Sequence, residues 1–168
     1  MDTSNLFTAA LNLEKPWRVE KVEFIPAEDN PANMELHIRL GYPEGSTFPC
    51  PEDGCSCMCK RHDAEERTWR HLNFFQYKTY IHAPLPRIKC KEHGAKTVDV
   101  SWARKGSGFT LLFESWTIEL AKHLPVAVIA KMMDEHDTRL WRFIKHYTEE
   151  ARALENHANV TKIGMDET

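Results

Sequence analysis

Cys50-Pro-Glu-Asp-Gly-Cys55 and Cys90-Lys-Glu-His93 are the two short segments whose reading decides the fold. All five cysteines of the chain (Cys50, Cys55, Cys57, Cys59 and Cys90) lie within the stretch they bracket. Two knuckles offering two ligands each, separated by strand-forming sequence, make a zinc-site pattern, because zinc takes four soft or borderline donors at tetrahedral corners. The Pro/Gly turn of the first knuckle lets its two cysteines face one point. The expected ligand set is Cys50, Cys55, Cys90 and His93, with Cys57, Cys59 or His62 open as a replacement for Cys55. The bland alternative is reduced thiols packed as small apolar residues. It fits poorly with four cysteines crowded into ten residues of a polar loop. An odd cysteine count in a chain of 168 residues argues against a disulfide framework.

Working outward, residues 5–13 read as a short amphipathic helix or arm. Trp17–Phe24 alternates as a strand. Asp29-Asn30-Pro31 turns the chain, and Met34-Glu-Leu-His-Ile-Arg-Leu40 alternates cleanly, so the two runs predict an antiparallel hairpin. Between the knuckles, residues 67–72 and 76–82 are further strand candidates, and residues 97–100 one more. A sheet this small buries little surface, and bound zinc would supply part of the missing folding free energy.

Arg104-Lys-Gly-Ser-Gly108 reads as a flexible, basic joint, after which the hydrophobic period becomes helical. Residues 110–123 hold Phe113, Trp116 and Leu120 at helix spacing. Pro125 suits the first turn of a second helix. Asp137 suits the N-cap of a third, with Leu140, Ile144, Tyr147, Ala151 and Leu154 along its buried stripe. A short helix, tight turn and longer helix is the helix-turn-helix plan. Off that stripe lie Thr138, Arg139, Arg142, Lys145 and His146, which with Arg104 and Lys105 are the candidate DNA contacts. The competing reading is a three-helix bundle with a solvated basic face. The tail Val160–Asp166 alternates as a strand delivering a carboxylate.

The fold class expected is therefore α+β: a small antiparallel sheet with a zinc-ribbon-like site, followed by a helix-turn-helix unit. The expected divisions are an arm and hairpin (1–44), a zinc-ribbon-like module (45–103), a basic linker (104–109), the helical DNA-binding domain (110–156) and a final strand (157–168). The net charge of −3 conceals an asymmetry. Residues 59–105 carry eleven basic side chains against five acidic, whereas residues 1–49 carry four against eight. Such a basic segment suits a nucleic-acid surface, with a solvated lysine/arginine face as the alternative. No apolar run reaches the roughly 18 residues of a membrane span, and the start is not a secretory signal. A soluble, cytoplasmic protein is expected, with no membrane partner.

Several long runs carry a family resemblance: Thr68-Trp-Arg-His-Leu-Asn-Phe-Phe-Gln-Tyr-Lys78, Pro86-Arg-Ile-Lys-Cys90, Glu92-His-Gly94, Trp102-Ala-Arg-Lys-Gly-Ser-Gly-Phe-Thr110, His136-Asp-Thr-Arg-Leu-Trp-Arg142 and Gly164-Met-Asp-Glu-Thr168. Over about residues 45–168 the chain resembles the bacterial insertion-sequence transposases of the ISL-three family. The resemblance implies a zinc finger on Cys50, Cys55, Cys90 and His93. It also implies a helix-turn-helix binding the terminal inverted repeats of the element in double-stranded DNA, then an RNase H-like domain with an Asp-Asp-Glu triad. Asp166 would be the first carboxylate of that triad, and Mg2+ the cofactor of a full-length parent. The first knuckle departs from the family's C-x2-C by two residues. The chain stops two residues after Asp166, so it is expected not to cut DNA by itself. The rival classes are a zinc-stabilised protein-interaction module or homodimer, motivated by Trp116, Trp141, Phe143 and Tyr147, and a stand-alone nuclease using Asp166 and Glu167.

Overall fold

The computed structural model describes residues 3–155; Asp166, Glu167 and the strand expected over 157–168 lie outside them. The chain divides between Trp116 and Thr117 into two compact units.

The first unit opens with helix α1 (Thr3–Ala10), followed by strands β1 (Arg18–Pro26), β2 (Met34–Gly41), β3 (Thr47–Pro49), β4 (Met58–Phe74), β5 (Tyr77–Cys90) and β6 (Gly94–Thr97). The predicted hairpin forms, with Phe24 opposite Leu36 and Val22 opposite Ile38. Period-two alternation sends Leu36, Ile38 and Leu40 into the core, where each is almost wholly buried. Met34, expected on the same face, is exposed at the strand end.

The strand order is β1-β2-β5-β4-β3, with β6 on β5. One pairing corrects the expectation of a purely antiparallel sheet: β2 and β5 run parallel, Leu36 opposite Thr79 and Ile38 opposite Ile81. The reason lies in the connection. The chain leaves β2, builds the first knuckle and β4, and only then returns in β5 along the same direction, a crossover that parallel pairing requires. The sheet is mixed and the fold is α+β.

β4 and β5 are also far longer than the two short strands expected. Lys60–Glu66 is charged and exposed on both faces, so it has no apolar alternation, yet it pairs along β5 from Arg61 opposite Ile88 to Glu66 opposite Pro84. Pro84 and Pro86 are tolerated because β2 pairing stops at His82 and β6 pairing starts at Arg87; there only the Pro86 carbonyl is engaged on that edge, by the Val98 N–H (3.0 Å), and neither proline has to donate. On the core side Trp17 sits edge-on to both Trp102 and Tyr42 (centroids 4.8 and 4.9 Å), and Trp69 edge-on to Trp102 (5.7 Å). The predicted strand over 97–100 is displaced to residues 94–97, with Val100 only bridged to Ala103.

Residues 104–109, expected as a flexible joint, are held to β4. Arg70 N–H donates to the Gly108 carbonyl (2.9 Å), and Thr110 N–H donates back to the Arg70 carbonyl (3.0 Å). The Arg70 side chain is fully buried, its guanidinium 5.5 Å from the Phe113 ring and donating to Asn73 Oδ1 (2.5 Å). Arg104 and the Ser107 hydroxyl both bind the buried Glu114 carboxylate (3.2 and 2.6 Å). Two basic residues in a glycine-containing stretch look mobile in a one-dimensional reading; the buried acid Glu114, on the helix that follows, fixes one of them.

Helix α2 (Leu111–Ala121) starts where Thr110 Oγ1 accepts the Phe113 N–H (3.3 Å), a side-chain cap that the helical spacing alone did not single out. In the second unit α3 (Val126–Met133) follows Pro125 and buries Val126, Ile129, Ala130 and Met133. Asp134 ends it in the left-handed region (φ 51°). Its N–H donates to the Lys131 carbonyl and the Glu135 N–H to that of Ala130, the Schellman arrangement with aspartate where glycine is commonest. Helix α4 (Asp137–Leu154) buries Leu140 and Phe143 on the side that meets α3. Its N-cap residue is His136 rather than Asp137. Asp137 has entered the first turn, and its Oδ1 accepts the Thr138 N–H there (2.7 Å).

Candidate metal centre and nucleic-acid interface

Cys50 follows β3 directly, and Cys55 closes the turn after it. The Cys50 N–H donates to the Cys57 carbonyl (3.0 Å) and the Cys55 N–H to that of Glu52 (3.1 Å), folding the chain back on itself. Gly54 supplies the left-handed residue this needs (φ 77°). Cys90 is the last residue of β5. His93 precedes Gly94, which is also left-handed (φ 71°) and turns the chain into β6. Strand pairing of β4 with β3 on one side and β5 on the other brings the two knuckles together.

One donor atom from each of Cys50, Cys55, Cys90 and His93 falls in a cluster within 4.8 Å. Cys55 Sγ is 3.8 Å from Cys90 Sγ, and His93 Nδ1 is 3.7 Å from both Cys50 Sγ and Cys90 Sγ. For Zn–S near 2.3 Å and Zn–N near 2.0–2.1 Å, a tetrahedral ion requires about 3.8 Å between sulfurs and about 3.6 Å from sulfur to nitrogen. The residues fit a zinc ion without rearrangement. His62 is exposed on β4 and takes no part in the cluster, and Cys59 pairs opposite Phe48. Cys57 lies in a second group with Cys55 and Glu92. Glu92 went unnoticed in the sequence, since a lone glutamate beside a knuckle has no spacing signature.

The local electrostatics favour negative sulfur at one end. Backbone N–H groups of His93 and Glu92 lower the Cys90 thiol to about 6. At Cys50 the Glu52 N–H acts the same way. Burial and the adjoining thiols of Cys55 and Cys90 outweigh it and push Cys50 up to about 11. Crowded thiols resist joint ionisation until a cation arrives, and metal binding displaces their protons. Lys96 on β6 forms an ion pair with Glu52 in the first knuckle (2.6 Å), a brace between the two halves of the site.

The helical candidates fall into two groups. At 100° per residue Thr138, Arg142 and Lys145 share the side of α4 opposite Leu140 and Phe143, and all three are exposed. Among the described residues Arg142 has no ion-pair partner, and Lys145 has only the loose Glu149 (3.7 Å). Arg139 and His146 flank this face, Arg139 paired with Glu135 and His146 with Glu150 (3.4 Å). Trp141, 53% exposed, stands on the same face and was grouped from sequence with interaction aromatics instead. In the first unit Arg104 is engaged by Glu114, while Lys105 is exposed.

A ribbon-type cysteine/histidine cluster on a small sheet, followed by a helix-turn-helix, defines a zinc-ribbon DNA-binding protein. Residues 46–93 match the zinc-finger of transposase IS204/IS1001/IS1096/IS1165, and residues 98–148 match the helix-turn-helix domain of transposase family ISL3. The chain is similar to the transposase for insertion sequence element IS1557 in two Mycobacterium tuberculosis strains, CDC 1551 / Oshkosh and ATCC 25618. The identity is 26% over 173 residues, covering 99% of this chain and 38% of the relative. No solved structure matches. Residues 46–93 and 98–148 are therefore a zinc-ribbon and a helix-turn-helix region of the ISL3 transposase kind, and the chain spans 38% of the length of these relatives. No helix among the described residues is long and apolar enough to cross a membrane.

Proposed function

We propose that this chain recognises the terminal inverted repeats of an insertion sequence in double-stranded DNA. In this reading α4 enters the major groove, and a zinc ion on Cys50, Cys55, Cys90 and His93 holds the ribbon in shape. The observation that carries it is the exposed face of α4, where Thr138, Arg142 and Lys145 stand together and the Arg142 guanidinium is unengaged by any described carboxylate. Arginine can pair both acceptors on a guanine edge, and lysine neutralises a phosphate. Lys105 and Arg104 add backbone contacts. In a transposase of this kind, acting in the cytoplasm, Asp166 would begin a Mg2+-binding carboxylate set for strand cleavage and joining. The test is an electrophoretic shift on duplex carrying the parent element's ends, against scrambled duplex, at two salt concentrations. Preference for the ends and a fall in affinity with salt are expected. Equal affinity for both duplexes, insensitive to salt, ends the reading.

A homodimer through the second unit is the rival. Val128 and Met132, one turn apart on α3, are both exposed, and an unpartnered apolar pair suits a protein contact. Sedimentation of the free protein as a monomer at tens of micromolar concentration rules it out.

A further inference from the structure

Four donors satisfy one zinc ion, yet the two knuckles gather more than four. Cys57 Sγ and a Glu92 carboxylate oxygen lie with Cys55 Sγ in a second group, its three donor atoms within 4.8 Å of one another. Cys55 is common to both groups. Cys57 is half-buried and backed by its own carbonyl, which accepts the Cys50 N–H, so its position is set by the turn that builds the first group. Cys57 touches only the edge of the sheet core, whereas Cys50 and Cys90 are buried within it.

We propose that the ribbon holds a second thiophilic dication, zinc or cadmium, on Cys55, Cys57 and Glu92, with the Cys55 thiolate bridging the two ions. A thiolate sulfur has lone pairs enough to serve two metals, and soft sulfur selects such ions over magnesium or calcium. Glu92 is exposed, so water reaches the fourth position, as at three-ligand zinc sites. Binding displaces the Cys57 proton to solvent, leaving sulfur and metal bonded with no redox step. The proposal rests on the zinc reading of the first four donors.

Native mass spectrometry of the full chain, reduced and equilibrated with excess Zn2+, should count two ions. Cys57→Ser and Glu92→Gln should each count one, and Cys59→Ser two. X-ray absorption at the zinc edge of the wild type should show a metal–metal vector of about 3.8 Å, the separation set by two Zn–S bonds of about 2.3 Å on one tetrahedral sulfur. That vector should vanish in Cys57→Ser. One ion in the wild type at saturating zinc overturns the proposal, as do two ions retained in Cys57→Ser. A second ion without the short vector is binding elsewhere, for instance at the neighbouring imidazoles of His37 and His82 (2.8 Å apart), and overturns it too. If Cys57→Ser does not fold, the exposed Glu92→Gln gives the same reading. A count of zero ions removes the ribbon reading itself, which distinguishes the two failures.

Discussion

Removing the metal should weaken the first unit by at least about 3 kcal/mol. In the native chain the donors of Cys50, Cys55, Cys90 and His93 already sit at tetrahedral spacing, so the ion closes no loop when it binds. The unfolded chain can chelate with either knuckle alone, but joining them means closing the 35-residue separation of Cys55 and Cys90. Taking loop closure as (3/2)RT ln n gives about 3 kcal/mol for that step. This is the least by which zinc favours the folded over the unfolded chain. The full preference is larger, because the buried Cys50 and Cys90 sulfurs, packed with Phe48 and Ile88 in the core, would be left crowded and uncompensated. Urea unfolding followed by tryptophan fluorescence suits the assay, since Trp17, Trp69 and Trp102 are all buried in this unit. With a urea slope of about 1–3 kcal/mol per molar, chelation under reducing conditions should lower the midpoint by about 1 M or more. Midpoints that agree within about 0.3 M, with and without chelator, would refute the reasoning.

Three further outcomes follow from particular side chains. Arg142→Ala should weaken binding to the element's ends by about 1–3 kcal/mol and relax sequence preference, whereas Lys145→Ala should weaken all duplexes alike and reduce the salt slope by about 1, as read in titrations at several salt concentrations. Phe143→Ala removes a fully buried ring from the α3–α4 contact and should cost about 3–5 kcal/mol, measured by thermal unfolding, while zinc content stays that of the wild type. His71, half-buried beside Arg70 and bonded to Thr110 Oγ1 (2.9 Å), is held neutral by desolvation first and by the Arg70 charge second, its pKa brought down to about 4. The unfolded chain therefore binds the extra proton. Stability from this group is whole above about pH 6.5 and drains away as pH falls toward 4, by roughly 2–3 kcal/mol at most. A His71→Gln variant should show a flatter stability profile across that interval by urea titration at fixed pH steps; an unchanged slope counts against the assignment.

Much of this was legible along the chain because it is local. Knuckle spacing marks a metal site, since two ligands a few residues apart need only a turn. Alternation marks β1 and β2. The period of α4 places Leu140 inside and Ile144 and Tyr147 half-buried, but Ala151 and Leu154, expected on the same stripe, are exposed, and Phe143 is buried in their stead. Where the reading went astray, the deciding partner was distant. The parallel pairing of β2 with β5 depends on a crossover through β3 and β4 that no window of sequence contains. The length of β4 comes from its pairing to β5 rather than from any apolar pattern in Lys60–Glu66. Residues 104–109 looked loose until Arg70 and the buried Glu114 stood beside them. Trp141 joined the Thr138–Arg142–Lys145 face only once Leu140 and Phe143 showed which side of α4 is buried. Sequence by itself determined the donor types, the turns and the helical periods, because those follow from covalent spacing and local backbone sterics. Tertiary structure alone decided which cysteines converge, which basic side chains are already engaged and which stay open to a duplex, because burial and ion pairing depend on residues brought together from far along the chain.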